Sequence, residues 1–141
     1  MKAISLWQPW ATLMAEGFKR NETRHWTTNY RGPLLIHAAK RMEPLTLLMS
    51  QLLTPIGYKE WNDFPCGAIV CELELVDCIK TSKYIPGHPE FEFGDYQPGR
   101  FVWITKNVKK FDPIPFRGKQ GFFNVPDEIA NLAFNQAKRA V

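Results

Sequence analysis

The sequence predicts an α+β domain, and three observations carry that reading. Strand-like runs of mixed length stand at residues 2–7, 34–38, 68–79 and 101–105. Segments suited to helices lie at 9–16, 45–54 and 126–138. No internal repeat, low-complexity tract or linker divides the chain, so its 141 residues are expected to form one domain, 1–141.

The elements follow in order. Residues 2–7 suit a first strand. Pro9 suits the first position of a helix running to Glu16, where its missing N–H would have no partner. Gly17 suits the residue just past the helix, where a left-handed conformation favours glycine. Trp10, Leu13 and Met14 share one face of that helix. In an extended segment after Gly17, Lys19, Asn21 and Thr23 would point one way and Glu22 and Arg24 the other. Thr27-Thr28-Asn29 reads as a turn. Leu34 to Ala38 is unbroken in apolar character, which predicts a strand buried on both faces. Leu45, Leu48, Met49, Leu52 and Leu53 repeat at helical spacing between Pro44 and Pro55. In the long strand from Ala68, Ile69, Cys71, Leu73 and Leu75 alternate with Val70, Glu72, Glu74 and Val76. Glu72 and Glu74 read as a solvated sheet face. Tyr84 to Gly99 is a long loop rich in Pro and Gly, either a functional lid or a connector. Phe101 to Thr105 is the next strand, followed by the basic tract Lys106, Lys109, Lys110, Arg117 and Lys119. The last helix carries an apolar stripe of Ile129, Leu132 and Ala133 and ends in Lys138-Arg139.

Composition narrows the functional classes. Hydrophobic residues at 45% and charged residues at 23% match globular averages. The net charge of +4 and pI near 9.0 favour a polyanionic partner. No apolar run of about 20 residues is present, so no membrane span is expected. Met1-Lys2-Ala3-Ile4 leads straight into strand pattern without a signal peptide, so a cytoplasmic location is expected. Cys66, Cys71 and Cys78 form no Cys-x-x-Cys pair, and His25, His37 and His88 lie far apart. Neither a metal nor a cofactor is therefore expected, and there is no Gly-rich phosphate loop.

The densest chemistry lies at Gln8-Pro9-Trp10-Ala11 and Gly17-x-Lys19-x-x-Glu22-x-Arg24. This two-part pattern resembles the activating-signal-cointegrator homology (ASCH) domain. The likeness continues through Trp26, Tyr30-Arg31-Gly32, Leu34 to Ala38, and Gly94-Asp95-Tyr96 with Gly99-Arg100-Phe101. The resemblance implies a PUA-like β-barrel of about five or six strands, flanked by two to three helices. It also implies RNA binding, or activity as an amidohydrolase on an acetylated cytidine or as a ribonuclease. Amidohydrolase members rely on a Lys, a Thr and a loop Glu. Lys19 matches the Lys, but Glu22 stands where the Thr would be. Glu90 or Glu92 could supply that loop carboxylate, and which of Glu90, Glu92 and Asp95 faces the cleft is left open.

The residues can be weighed beside that resemblance. Alone, Lys19, Glu22 and Arg24 read as a surface ion-pair cluster. Set beside Gln8, Trp10 and Gly17, they read as a ligand site. Lys19 suits a phosphate or a carbonyl to be polarised, and Glu22 a base edge or general-base work. Arg24 offers a planar fork for phosphate, and Gln8 both donor and acceptor for a nucleobase edge. Trp26 and Tyr30, among polar residues, are candidates to stack an unpaired base. Trp7, Trp10, Trp61 and Trp103 read as core, with Trp10 also bordering the cleft. Arg100 either braces the loop through Asp95 or contacts ligand. The basic tract is a solvated face or, with Phe111 and Phe116 interleaved, the extension of a nucleic-acid track. The expectation is a nucleic-acid-binding module, RNA first, using a cleft between the first helix and Lys19–Arg24. The alternative is a metal-independent hydrolase of an acylated nucleoside or of RNA, with Lys19 and Glu22 catalytic.

Overall fold

A computed structural model describes residues 1–139. Its elements are β1 Lys2–Gln8, α1 Trp10–Ala15, β2 Asn21–Arg24, β3 Gly32–Met42, α2 Leu47–Leu53, β4 Ala68–Lys80, β5 Phe101–Pro115, β6 Phe123–Asn124 and α3 Asp127–Arg139. The three helices fall where the apolar spacing places them. Pro9 stands one position earlier than expected, capping α1, and its carbonyl accepts from Leu13 N at 2.9 Å. Gly17 ends the helix at φ 82°, with Phe18 N bonded to Leu13 O and Gly17 N to Met14 O. That pair of bonds satisfies the last-turn carbonyls and reverses the chain toward β2. Thr46 opens α2 by accepting from Met49 N at 3.2 Å.

One sheet holds all six strands in the order β2-β5-β4-β3-β1-β6. β1 and β3 run parallel; the other pairs are antiparallel. The α+β class and the six strands match the expectation, but hydrogen bonding does not close a barrel. The end strands β2 and β6 are four and two residues long and do not pair with each other. The open sheet remains compatible with the PUA-like fold.

β3 is buried on both faces, as its unbroken apolar run requires. Leu34, Ile36 and Ala38 pack under α1 with Ile4, Leu6, Met14 and Trp103. Leu35 packs on the other side with Ala3, Phe123 and the α3 residue Ala133. A third cluster joins Leu13 to Met49, Leu53, Phe64 and Phe93, so α1 lies between the sheet and α2 with its neighbouring loops. Three sequence expectations need correction. A register shift between Ile69 and Cys71 breaks the alternation of β4, and Ile69 joins the cluster opposite Cys71, Leu73 and Leu75. Leu132 is 51% exposed, leaving Ile129 and Ala133 as the packed stripe of α3. Trp7 and Trp61 are exposed rather than core, whereas Trp103 is fully buried.

Burial on both sides of β3 also catches a polar residue. His37 lies opposite Ser5 in the parallel register and is 3% exposed. Its Nε2 is 2.6 Å from the Phe116 carbonyl and its Nδ1 2.9 Å from Ser5 Oγ. A carbonyl only accepts, so Nε2 carries the hydrogen and neutral Nδ1 accepts from the serine hydroxyl. Burial holds the imidazole pKa below its ordinary 6.5. The unfolded chain therefore takes up this proton first as pH falls. Stability contributed by neutral His37 should be complete above 6.5 and decline as pH drops below it. Urea unfolding of wild type and His37→Gln at about pH 7.5 and about pH 5.5 tests this. The wild type should lose more stability between the two than the variant does; equal losses would place the titration elsewhere.

Candidate functional site

The stop at Gly17 sends residues 19–24 back beside α1, and this hairpin of helix and strand builds one wall of a cleft. Lys19 precedes β2, which begins at Asn21, so strand alternation does not govern it. Its ammonium instead meets Glu22 Oε1 at 3.6 Å, donates to the Phe93 carbonyl at 2.5 Å, and lies 5.6 Å from the centre of the Trp10 ring. Lys19 is only 2% exposed. Burial lowers its pKa, while Glu22 and Glu90 pull the other way.

Glu22 links this buried amine to the surface. Its Oε1 accepts from Thr23 N at 3.0 Å, and its Oε2 lies 3.2 Å from Arg24 Nη2. The same Arg24 nitrogen donates to the Ser5 carbonyl at 2.7 Å, while Arg24 Nε is buried without a partner among the described residues. The long loop closes the far side. Asp95 N donates to Thr23 Oγ1, and Arg100 donates to the carbonyls of Asp95 and Thr23. Arg100 therefore braces the loop and borders the cleft at once.

The cleft has a volume of about 670 Å³, a size suited to a small ligand. Trp10, Trp7 and Met49 supply apolar walls. Glu22, Glu43, Glu92 and Asp95 face two guanidiniums, Arg24 and Arg100, so carboxylates outnumber fixed cations. Of the three candidate loop carboxylates, Glu92 and Asp95 line the cleft. Glu90 turns away and accepts from Arg20 N and Asn21 N.

A second cavity of about 1320 Å³ adjoins the first. Ser5, Trp7, Arg24 and His25 border both. Lys40, Arg117 and Lys119 complete a basic lining that, among the described residues, contains no Asp or Glu. Trp7 forms the ridge between the two, with the Arg41 guanidinium stacked 3.8 Å from its ring centre.

The sequence-derived candidates divide on this geometry. Lys19, Glu22, Arg24, Trp10 and Arg100 come together around the first cleft. Gln8 does not offer its amide to a ligand: it is fully buried, Oε1 accepts from Thr12 N at 3.0 Å and Nε2 donates to the Pro65 carbonyl at 2.8 Å. Tyr30 borders neither cavity; its hydroxyl donates to the Pro33 carbonyl and its ring packs on Phe122. Trp26 lines the second cavity but is wedged edge-on against Trp103 and Phe122. The basic tract splits. Lys106 and Lys109 pair across strands with Glu74 and Glu72, Lys110 bonds Glu16, and Phe111 and Phe116 pack inward. Only Arg117 and Lys119 of that tract reach the cavities. Among the described residues no cluster of His, Cys, Asp and Glu could hold a metal ion, and no helix is long and apolar enough to cross a membrane.

An open mixed sheet with a short helix on one face and a cleft against the first edge strand defines an α+β domain compatible with the PUA-like fold. The ASCH domain family model matches residues 4–115, and the chain belongs to the ASCH family. Activating signal cointegrator 1 of Homo sapiens is 33% identical over 132 residues, covering 89% of this chain and 22% of that protein. The Mus musculus protein of the same name is 32% identical over the same length. The chain thus spans only 22% of the length of these relatives. The crystal structure of ASCH from Zymomonas mobilis shares the fold at TM-score 0.59 and 11% identity, over 95% of this chain and 93% of that one.

The site makes Lys19 a measurable structural element. Lys19→Ala leaves the Phe93 carbonyl unmet and removes a cation from Glu22. The substitution should cost about 1–3 kcal/mol in denaturant unfolding. A midpoint unchanged from wild type would mean the amine is not held as the structure shows.

Proposed function

We propose that this domain, acting as one module in the cytoplasm, is a nucleic-acid-binding module, with RNA its first candidate ligand. A base, or a modified nucleoside, is seated in the cleft between α1 and β2. The observation that carries the reading is the pairing of an aromatic wall, Trp10, with surplus carboxylates in a cleft of nucleoside size. Carboxylates accept hydrogen bonds from exocyclic amino groups, and the Trp10 face offers apolar contact to a planar ring. Arg24, which borders both cavities, then meets negative charge beyond the carboxylate-lined cleft. The mild basic excess of the chain and its ASCH membership support the same reading. Lys19 serves it indirectly, holding Glu22 in place from below.

A second reading rests on one observation: a half-buried carboxylate, Glu22, stands 3.6 Å from a buried amine whose pKa is lowered. Such pairs occur where protons are moved. In a metal-independent hydrolase Glu22 would act as general base on water and Lys19 would polarise the scissile carbonyl. Two features oppose this. Both Glu22 oxygens already engage protein groups, and Lys19 is almost sealed from the cleft. Thr23 is a poor substitute for the amidohydrolase Thr, because its hydroxyl accepts from Asp95 N.

Glu22→Gln separates the readings. For a binding module the change should weaken single-stranded RNA by about 1–3 kcal/mol and alter which base is preferred. For a hydrolase it should leave affinity nearly intact and lower turnover of an acylated nucleoside or of RNA by about 10²–10⁴. The expected result is RNA binding by wild type without turnover. Hydrolysis that Glu22→Gln abolishes would overturn the binding-module reading.

A further inference from the structure

We propose that the second cavity is a phosphate site that takes the phosphodiester backbone of the strand whose base enters the first cleft. This rests on the nucleic-acid reading above and adds a location for the charge that the first cleft does not accommodate. There, four carboxylates oppose two guanidiniums, so a phosphate diester would meet repulsion. The second cavity is lined instead by Arg24, Lys40, Arg117 and Lys119, with no carboxylate. Opposite charge character on the two sides of the Trp7 ridge sorts the two halves of a nucleotide, base to one side and phosphate to the other.

The basic wall is also held in place. Arg117 and Lys119 sit on the loop after β5, on either side of Gly118. Phe116, just before them, is tied by its N–H to the Gly67 carbonyl and by its carbonyl to His37. Gly118 itself lies so close that a Cβ there would stand 2.5 Å from the His37 ring and 2.6 Å from Ser5 Oγ. The loop backbone therefore presses on the buried Ser5–His37 pair, and Arg117 and Lys119 extend from it as exposed side chains. His37 is neutral, so the charge of the wall comes from the Arg and Lys side chains. Cations carried on an anchored backbone, with no carboxylate among the described residues lining their cavity, suit successive phosphates, whose recognition requires no base identity.

The test uses the full chain and a fluorescent single-stranded RNA of about ten nucleotides, with DNA of the same sequence, titrated between about 50 and 200 mM salt. Arg117→Ala with Lys119→Ala should lower affinity on the order of tenfold at low salt. The slope of log K against log salt should shrink by about 1.4, the value for two contacts to a single strand. The charge-matched control, Lys59→Ala with Lys83→Ala, lies outside the cavity and should keep the wild-type slope. Gly118→Ala keeps every charge but displaces the loop, and with a thermal melt to confirm folding it too should weaken binding. Inorganic phosphate and a nucleoside monophosphate serve as competitors, and neither should displace the oligomer at comparable concentration. If wild type binds and the double variant keeps its slope, the phosphate site is wrong and the binding-module reading stands. If inorganic phosphate alone displaces the oligomer, the cavity is a free-anion pocket and the backbone assignment is wrong. If wild type binds no oligonucleotide, both fail together.

Discussion

Everything in the site depends on how one buried amide is satisfied. Gln8 ends β1, and with no exposure its side chain must find partners inside the protein. Its Oε1 takes Thr12 N, one of the N–H groups that the first turn of α1 leaves open. Its Nε2 takes the carbonyl of Pro65, just before β4, and its own carbonyl takes Glu43 N beyond the end of β3. Four pieces of chain are thereby fixed around one residue. The start of α1 sets Trp10, and the length of α1 to Gly17 sets where Lys19 and Glu22 can stand. Glu43, tied to the same residue, joins the cleft lining.

From that anchor the charges form a graded series. Lys19 is buried, Glu22 is half-buried over it, and Arg24 reaches the ridge where both cavities begin. Each partly neutralises the next, which is how a lysine at 2% exposure is retained without an isolated buried charge. The series also explains why the cleft is not simply a basic groove. Its cations are spent on protein carboxylates and carbonyls, and carboxylates from the long loop and the end of β3 are left in surplus. Among the described residues Lys40, Arg117 and Lys119 have no carboxylate partner, and they gather across the Trp7 ridge instead.

Much of the frame was legible in sequence, because periodicity and punctuation report backbone preference directly. The Pro9 and Gly17 limits, the apolar spacing around Met49 and the continuous run Leu34 to Ala38 all reflect local rules. The gathering of Lys19, Glu22 and Arg24 was legible too. Gln8 carries no such local signal, because an amide that suits a base edge suits a helix start and a carbonyl equally well, and burial decides. Tyr30 has only polar neighbours in sequence, and its aromatic partner, Phe122, lies far along the chain. Trp7 carried a usable signal: it alternates with Leu6 and so leaves the core when Leu6 enters it. The second cavity had no local signal. Ser5, His37 and Gly118 meet only through the parallel pairing of β1 with β3 and the return of the loop after β5.

The long loop has a consequence beyond the cleft. β2 is the outermost strand on its side of the sheet, and such a strand normally offers unpaired backbone groups to any passing chain. Here Glu90 takes the N–H groups of Arg20 and Asn21, while Arg100 takes the Thr23 carbonyl. Side chains stand in for a seventh strand. On the opposite border, β6 is only two residues long and offers little template. The same loop that lines the first cleft thus caps one border of the sheet and leaves little of that edge open as a template for a further strand.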